Sequence, residues 1–324
     1  MRGGVLIVCL LAFFQEACSQ CCSAGTPVSG STNVGIVGAR VLRVNTFYRY
    51  GRSAGYWEGD RRSDFEFVSS ASYSFVGAVL TYGITGRLNV ETELGYYLNK
   101  TQTYNIPGAE PLVGSGLSNA FASLKWNAVQ DKSFLDEWTL SAGAKFPFGS
   151  AYQVVNNVEL PRDVQPSTHA FGALLGSFLR KDLGNPGLRL FLVNRFEMNS
   201  PDMRDYKFGS ALYSSFFMSK RFGTGHLTGT LQLRHEYRTR DVRNATGSGL
   251  FATGETIAST GGQLLFLAPQ ITYTIQEKWN ISLITELPVY RRYNGVQLGT
   301  QMGAGIFVSR DLGGKCKVPA PTTL

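Results

Sequence analysis

The stretch LFLAPQITYTIQEKWNISLITELPVYRRYNGVQLG, from Leu265 to Gly299, decides the fold. Two alternating runs flank a polar break at Gln276–Glu277–Lys278, which leads into Trp279. In the second run Trp279, Ile281, Leu283, Thr285 and Leu287 share one face, and Asn280, Ser282, Ile284, Glu286 and Pro288 share the other. Period two means a strand, because successive side chains leave opposite faces. The run ends in aromatics and a glycine turn, PVYRRYNG. Alternation with an aromatic at each end is the pattern of a strand that crosses a bilayer as part of a barrel.

The unit repeats. Twelve strands are expected, at roughly 39–50, 69–84, 87–97, 117–128, 137–147, 168–180, 188–198, 208–221, 226–238, 260–275, 278–288 and 298–310. Short connections (Thr85–Gly86, Val129–Asp136, Asp182–Gly187, Gly223–Gly225, Gln276–Glu277) alternate with long ones (Arg52–Val68, Asn99–Gly116, Phe148–Ser167, Thr239–Ser259). Even strand number and alternating loop length are properties of outer-membrane barrels. The expected fold is therefore all-β, a transmembrane antiparallel up-and-down barrel of about 12 strands. A soluble β-sandwich also alternates. Strands of ten or more residues weigh against it, as do aromatics at strand ends, such as Tyr48, Tyr96, Trp126, Trp138, Tyr237, Trp279 and Tyr290.

The N-terminus pairs Arg2 with the apolar run Val5–Phe14, followed by small residues at Ala17–Cys18–Ser19. This reads as a secretory signal peptide over residues 1–19, too short to span a bilayer as a helix. An acylated Cys18 or Cys21 is the alternative. Residues 20–38 (QCCSAGTPVSGSTNVGIVG) are expected to form a periplasmic or plug-like segment, 39–310 the barrel and 311–324 a periplasmic tail. Charged residues make up 17% of the chain, low against about 25% in soluble domains. This suits an outer face that meets lipid. The net charge of +8 is spread over single residues and short pairs, without a nucleic-acid-binding signature, so nucleic acid is not expected as a partner.

A charge on the lipid face costs about 2–4 kcal/mol at the midplane, so the polar set is expected to face the lumen. The candidates are Arg43, Arg49, Glu91, Glu93, Lys125, Lys145, Arg189, Arg195, Glu197, Arg234, Glu236, Arg238 and Glu286. One reading is a ladder of ion pairs filling a narrow lumen. The other is a charged constriction selecting anionic or polar solutes. The two are compatible. His235 falls on the apolar face, near a strand end.

Cysteines 21, 22 and 316 remain after signal cleavage. A disulfide from Cys316 to Cys21 or Cys22 is expected if both termini lie in an oxidising periplasm. The remaining thiol would be free or would pair with another protein. A copper(I) thiolate site is the weaker alternative, and no metal or cofactor is expected. The three histidines include His169 in Ser167–Thr168–His169, which lacks a positioned third group. No hydrolytic enzyme is expected.

Several segments resemble the bacterial outer-membrane transporter family named for the meta-pathway of phenol degradation. Tyr82–Leu88 (YGITGRL) is similar to its strand–turn–strand element, and the GLSNAFASLKW segment ending at Trp126 to its "GxGD…LKY" strand, with Asn119 where aspartate is usual. Leu140–Gly149 (LSAGAKFPFG) and Leu287–Leu298 (LPVYRRYNGVQL) resemble two further family elements. The resemblance spans about residues 81–298. It implies an outer-membrane barrel, sometimes proposed to pass hydrophobic or aromatic compounds, and supplies no catalytic residues. The expected role is a passive transporter or small channel for small solutes, with outer-membrane lipid around it. The alternative is a sealed barrel, a structural or accessory subunit that binds an outer-membrane or periplasmic protein.

Overall fold

Eleven long strand elements close on themselves in chain order, every neighbour antiparallel. They are β1 (Leu42–Gly59), β2 (Val68–Gly83), β3 (Leu88–Tyr104), β4 (Ala120–Lys132), β5 (Leu135–Phe146), β6 (Gly172–Asp182), β7 (Leu188–Asn199), β8 (Ala211–Phe222), β9 (Leu227–Arg238), β10 (Gly262–Ile275) and β11 (Trp279–Leu312). The computed structural model describes residues 35–313, apart from 133, 149–151, 156, 185–186, 224 and 277. Two short strands, Arg61–Arg62 and Leu112–Leu117, extend the sheet above β1 and β3. The expected signal peptide, Cys21, Cys22, Cys316 and nearly all of the 311–324 tail lie outside the described residues.

Closure is made by β1 against the second half of β11, from Leu42 opposite Leu312 to Gly59 opposite Tyr293. The first half of β11 pairs with β10, from Ile275 opposite Trp279 to Gly262 opposite Tyr293. Thirty-four residues would extend about 110 Å if straight, so β11 doubles back. Its bend is at Asn294–Gly295, where Gly295 has φ +64°. Asn-Gly is the dipeptide that most readily takes the left-handed turn of a tight hairpin. A β-carbon on Gly303 would press on Glu286, and one on Gly305 on Ile284, so the two halves run side by side.

Several strands exceed the lengths expected from alternation. β1 continues to Gly59 through register shifts near Arg52–Tyr56 and at Glu58–Gly59. The supposed loop Arg52–Val68 is thus largely strand. β3 likewise continues to Tyr104. Bulges admit extra residues that break the strict period, and a period-two reading stops there. The short connections after β2, β4, β6, β8 and β10 lie at one end with the outer ends of β1 and β11, and the longer connections lie at the other end with the Asn294–Gly295 turn.

The outer surface is apolar. Leu80, Leu94, Leu124, Leu175, Leu192, Leu231, Ile271, Leu283, Leu287 and Ile306 are exposed there. Tyr48, Tyr82, Tyr96, Trp126, Trp138, Tyr237, Tyr273, Trp279 and Tyr290 are exposed as well. Inside, Asn89, Lys125, Thr139, Lys145, Ser215, Gln232, Thr272, Ser282 and Glu286 are buried. A water-soluble sheet protein would have the opposite polarity, with polar groups outside and apolar ones within.

The interior is not uniformly polar. Phe47, Val79, Ala268, Ile284 and Phe307 form one buried apolar cluster, with Phe75 against it. Phe178, Phe191, Val193 and Phe217 form another on β6, β7 and β8. Apolar rings thus share the inner face with the polar set. Glycines make room for these rings: a β-carbon on Gly77 would collide with Phe47, and one on Gly95 with Phe75.

Candidate functional site in the lumen

Each sequence-predicted charge projects from an inward position, and most meet a partner from another strand. Glu286 of β11 is the hub. Its carboxylate accepts from Arg49 of β1 at 2.8 Å and from Arg234 of β9 at 2.6 Å. Arg234 also reaches Glu236 at 2.9 Å. On the next arc Lys125 of β4 pairs with Glu91 of β3, which also accepts from Thr81 Oγ1 at 2.8 Å. Lys145 of β5 lies 3.1 Å from Glu197 of β7 and also bonds Asn199 Oδ1. Arg195 of β7 lies 3.6 Å from Glu93. Arg43 binds Asp311 through two nitrogens at 2.7 and 2.8 Å, beside the closing seam. Arg189 reaches Asp182 at 3.4 Å near a short turn. Arg238 donates to the Tyr213 hydroxyl at 3.4 Å. Burying charges out of water is costly unless they are paired and hydrogen-bonded, and this inventory is largely paired.

Above the ion pairs, toward the long connections, lies a cavity of about 340 Å³. Its walls carry Tyr73, Phe75, Tyr97, Phe121 and Tyr213, among Arg49, Lys100, Lys145 and Arg238. Residues of the connection between β5 and β6 roof it, from Arg162 to Thr168. Leu160 and Val164 of this connection are each 2% exposed. A β-carbon on Gly114 would collide with the Val164 carbonyl oxygen, so glycine there admits the roof.

Asn119 latches the roof. Its Oδ1 accepts from Ser167 Oγ (3.0 Å), Thr168 N (3.2 Å) and Thr168 Oγ1 (3.0 Å). Lys100 Nζ donates to the Gln165 carbonyl at 2.8 Å. Within the roof, Gln165 Nε2 donates to Leu160 O at 2.9 Å and its Oε1 accepts from Gln153 N at 2.9 Å. Outside, the Arg162 guanidinium lies over the Tyr206 ring at 4.1 Å and 3.6 Å from Asp202. Burial and a hydrogen bond to Asp202 push the Tyr152 hydroxyl up to about 12. Burial and Asp241 push Tyr206 up further. Both phenols stay protonated as donors. The Ser167–Thr168–His169 cluster is part of the latch, with Ser167 Oγ accepting from His169 N at 3.2 Å.

At the short-turn mouth, Glu137 of β5 accepts from Ile36 N at 3.1 Å and from Thr139 Oγ1 at 2.9 Å. Arg43 of β1 donates to Gly35 O at 3.5 Å. The described part of the 20–38 segment therefore bridges β1 and β5. Sequence reasoning missed Glu137, Lys100, the roof and the inward phenylalanines. The phenylalanines carried a signal: Phe47 lies in phase with Arg43 and Arg49, and Phe191 with Arg189 and Arg195.

No family model and no curated sequence matches the chain. Among solved structures, the chain is similar to the COG4313 outer membrane channel from Pseudomonas putida F1. The two share 10% identity over 85% of this chain and 97% of that one, with a TM-score of 0.64. The translocator domain of autotransporter NalP from Neisseria meningitidis matches over 85% of this chain and 89% of that chain, with 10% identity and a TM-score of 0.45. The CymD monoaromatic hydrocarbon channel matches over 86% and 90%, with 8% identity and a TM-score of 0.41. The last two overlaps are too loose to carry an argument. The first shows the fold: this chain is a closed antiparallel β-barrel of the architecture seen in an outer membrane channel.

Proposed function

We propose that this protein is a bacterial outer-membrane channel that passes small solutes passively. Reading the doubled-back β11 as two passes makes twelve strands, the count expected from alternation. The observation that carries the proposal is the polarity of the wall, apolar and aromatic outside, charged and hydrogen-bonded within. Such a wall is stable in lipid and leaves its chemistry for what enters the lumen. A similar fold in a channel supports the reading. The inner phenylalanine clusters and the paired charges suit small solutes with both apolar and polar parts.

Liposome swelling with the purified barrel tests this proposal. Solutes the size of a small sugar or a single aromatic ring should enter, and larger oligosaccharides should not. Swelling no faster than in protein-free liposomes would overturn transport. It would leave the sealed accessory barrel, with its loops or N-terminal segment binding a protein, as the reading to pursue. The thirteen lumen residues named above are proposed to set which solutes pass, and a disulfide from Cys316 to Cys21 or Cys22 is proposed to tie the termini in the periplasm.

A further inference from the structure

The lumen cations divide into two kinds. Arg49, Lys125, Lys145, Arg195 and Arg234 each lie within 4 Å of a carboxylate. Lys100 and Arg238 do not, among the described residues. The side-chain partner of Lys100 is the Gln165 carbonyl, and that of Arg238 is the Tyr213 hydroxyl. Both cations line the 340 Å³ cavity under the roof. The cavity's Glu93 and Glu197 are engaged by Arg195 and Lys145. Arg49 and Arg162 also line it but are engaged by Glu286 and Asp202, so Lys100 and Arg238 are left facing one further lining carboxylate, Asp163 of the roof. Cations that line a cavity and hydrogen-bond only to neutral groups there favour an anion between them.

The same cavity supplies a flat apolar wall. Phase along β2 and β3 brings the Phe75 and Tyr97 rings to 4.6 Å and the Tyr73 and Tyr97 rings to 6.0 Å. Lys100 lies over Tyr97 at 5.0 Å. Ring faces at these spacings accept another ring, offset-stacked or edge-on. A bare inorganic anion would use the cations and leave the rings unused. A neutral ring would use the wall and leave the cations unpaired. Pocket volumes of a few hundred cubic ångströms are those of small-molecule sites.

We infer that this cavity is a binding site for a small aromatic carboxylate, its carboxylate on Lys100 and Arg238 and its ring against Tyr97 and Phe75. The inference rests on the channel reading for its biological sense but not for its test. Isothermal titration of the purified, detergent-folded full barrel with benzoate should show saturable binding. Acetate, chloride and benzyl alcohol should each bind at least about tenfold more weakly, since each lacks the ring or the charge. Lys100→Gln and Arg238→Gln should each weaken benzoate about tenfold, and Arg238→Lys should recover most of the loss. Absence of benzoate binding would overturn the site. So would acetate, chloride or benzyl alcohol binding as tightly as benzoate, or benzoate binding unchanged in both glutamine variants. The comparison of ligands on the parent protein decides the matter even if a variant fails to fold. Benzoate binding without liposome swelling would keep the site and remove the channel. Swelling without benzoate binding would do the reverse.

Discussion

Glu286 is the residue on which the inner charge network turns. Two arginines from β1 and β9 converge on it, so replacing it leaves both without their common partner. Glu286→Gln should destabilise the folded barrel by about 3 kcal/mol, the usual cost of breaking a buried pair. The midpoint of urea unfolding in lipid vesicles would measure this. Asn119 is a second decisive residue, because one oxygen accepts three hydrogen bonds from the roof. Asn119→Leu should free the roof and raise proteolytic cleavage between residues 152 and 168. Asn119→Asp keeps the acceptor and should leave cleavage near the parent level. Neither role was legible from Glu286 or Asn119 alone, since alternation says which face a side chain leaves by and not whom it meets. At the outer surface, the hydrogen bond from Arg204 holds the Glu159 carboxyl below the usual range. A depressed carboxylate pKa adds stability above its unfolded value, and that stability is lost as pH falls through the folded one. Protection factors of the roof amides, corrected for intrinsic exchange, should therefore fall at acidic pH, by less in Glu159→Gln, and protection factors unchanged with pH would refute the coupling.

At the scale of elements, the hairpin inside β11 depends on a backbone conformation that most residues avoid. Gly295 sits at φ +64°, and a side chain there would also meet Ser259. Gly295→Val should cost about 1–2 kcal/mol from the left-handed conformation alone, visible as slower assembly into vesicles. The Asn-Gly turn was plain in the sequence. The lengths of β1 and β3 were not, because bulges break the period-two signal on which strand ends are judged. The roof was likewise hidden: residues 152–168 carry no repeating pattern, and their place follows from a glycine at 114 and an acceptor at 119 on a distant stretch of chain. The apolar cluster on β1, β2, β10 and β11 makes a separate element-scale prediction. Phe47→Ala with Phe307→Ala removes two stacked rings 5.6 Å apart. Single-channel conductance should rise by a factor of about two or more if an apolar constriction limits passage by dewetting. An unchanged conductance would place the limiting section elsewhere.

For the whole molecule, polarity inside and out decides which solvent the barrel suits. Alternation, aromatic strand ends, low charge and the order of short and long connections were all present in the chain. They determined an antiparallel, closed, lipid-facing architecture, because period two leaves one apolar face and closure removes the unpaired edges that lipid cannot satisfy. They also placed the charged set on the inner face. Only the tertiary structure decided which charges neutralise one another, that phenylalanines share the lumen with them, and that Lys100 and Arg238 keep neutral partners beneath a folded-in roof. The physical reason is range. Facing is set by the local backbone period, residue by residue. Pairing depends on register and closure between residues as much as 268 positions apart or more, as in Arg43 and Asp311, and no local pattern encodes that distance.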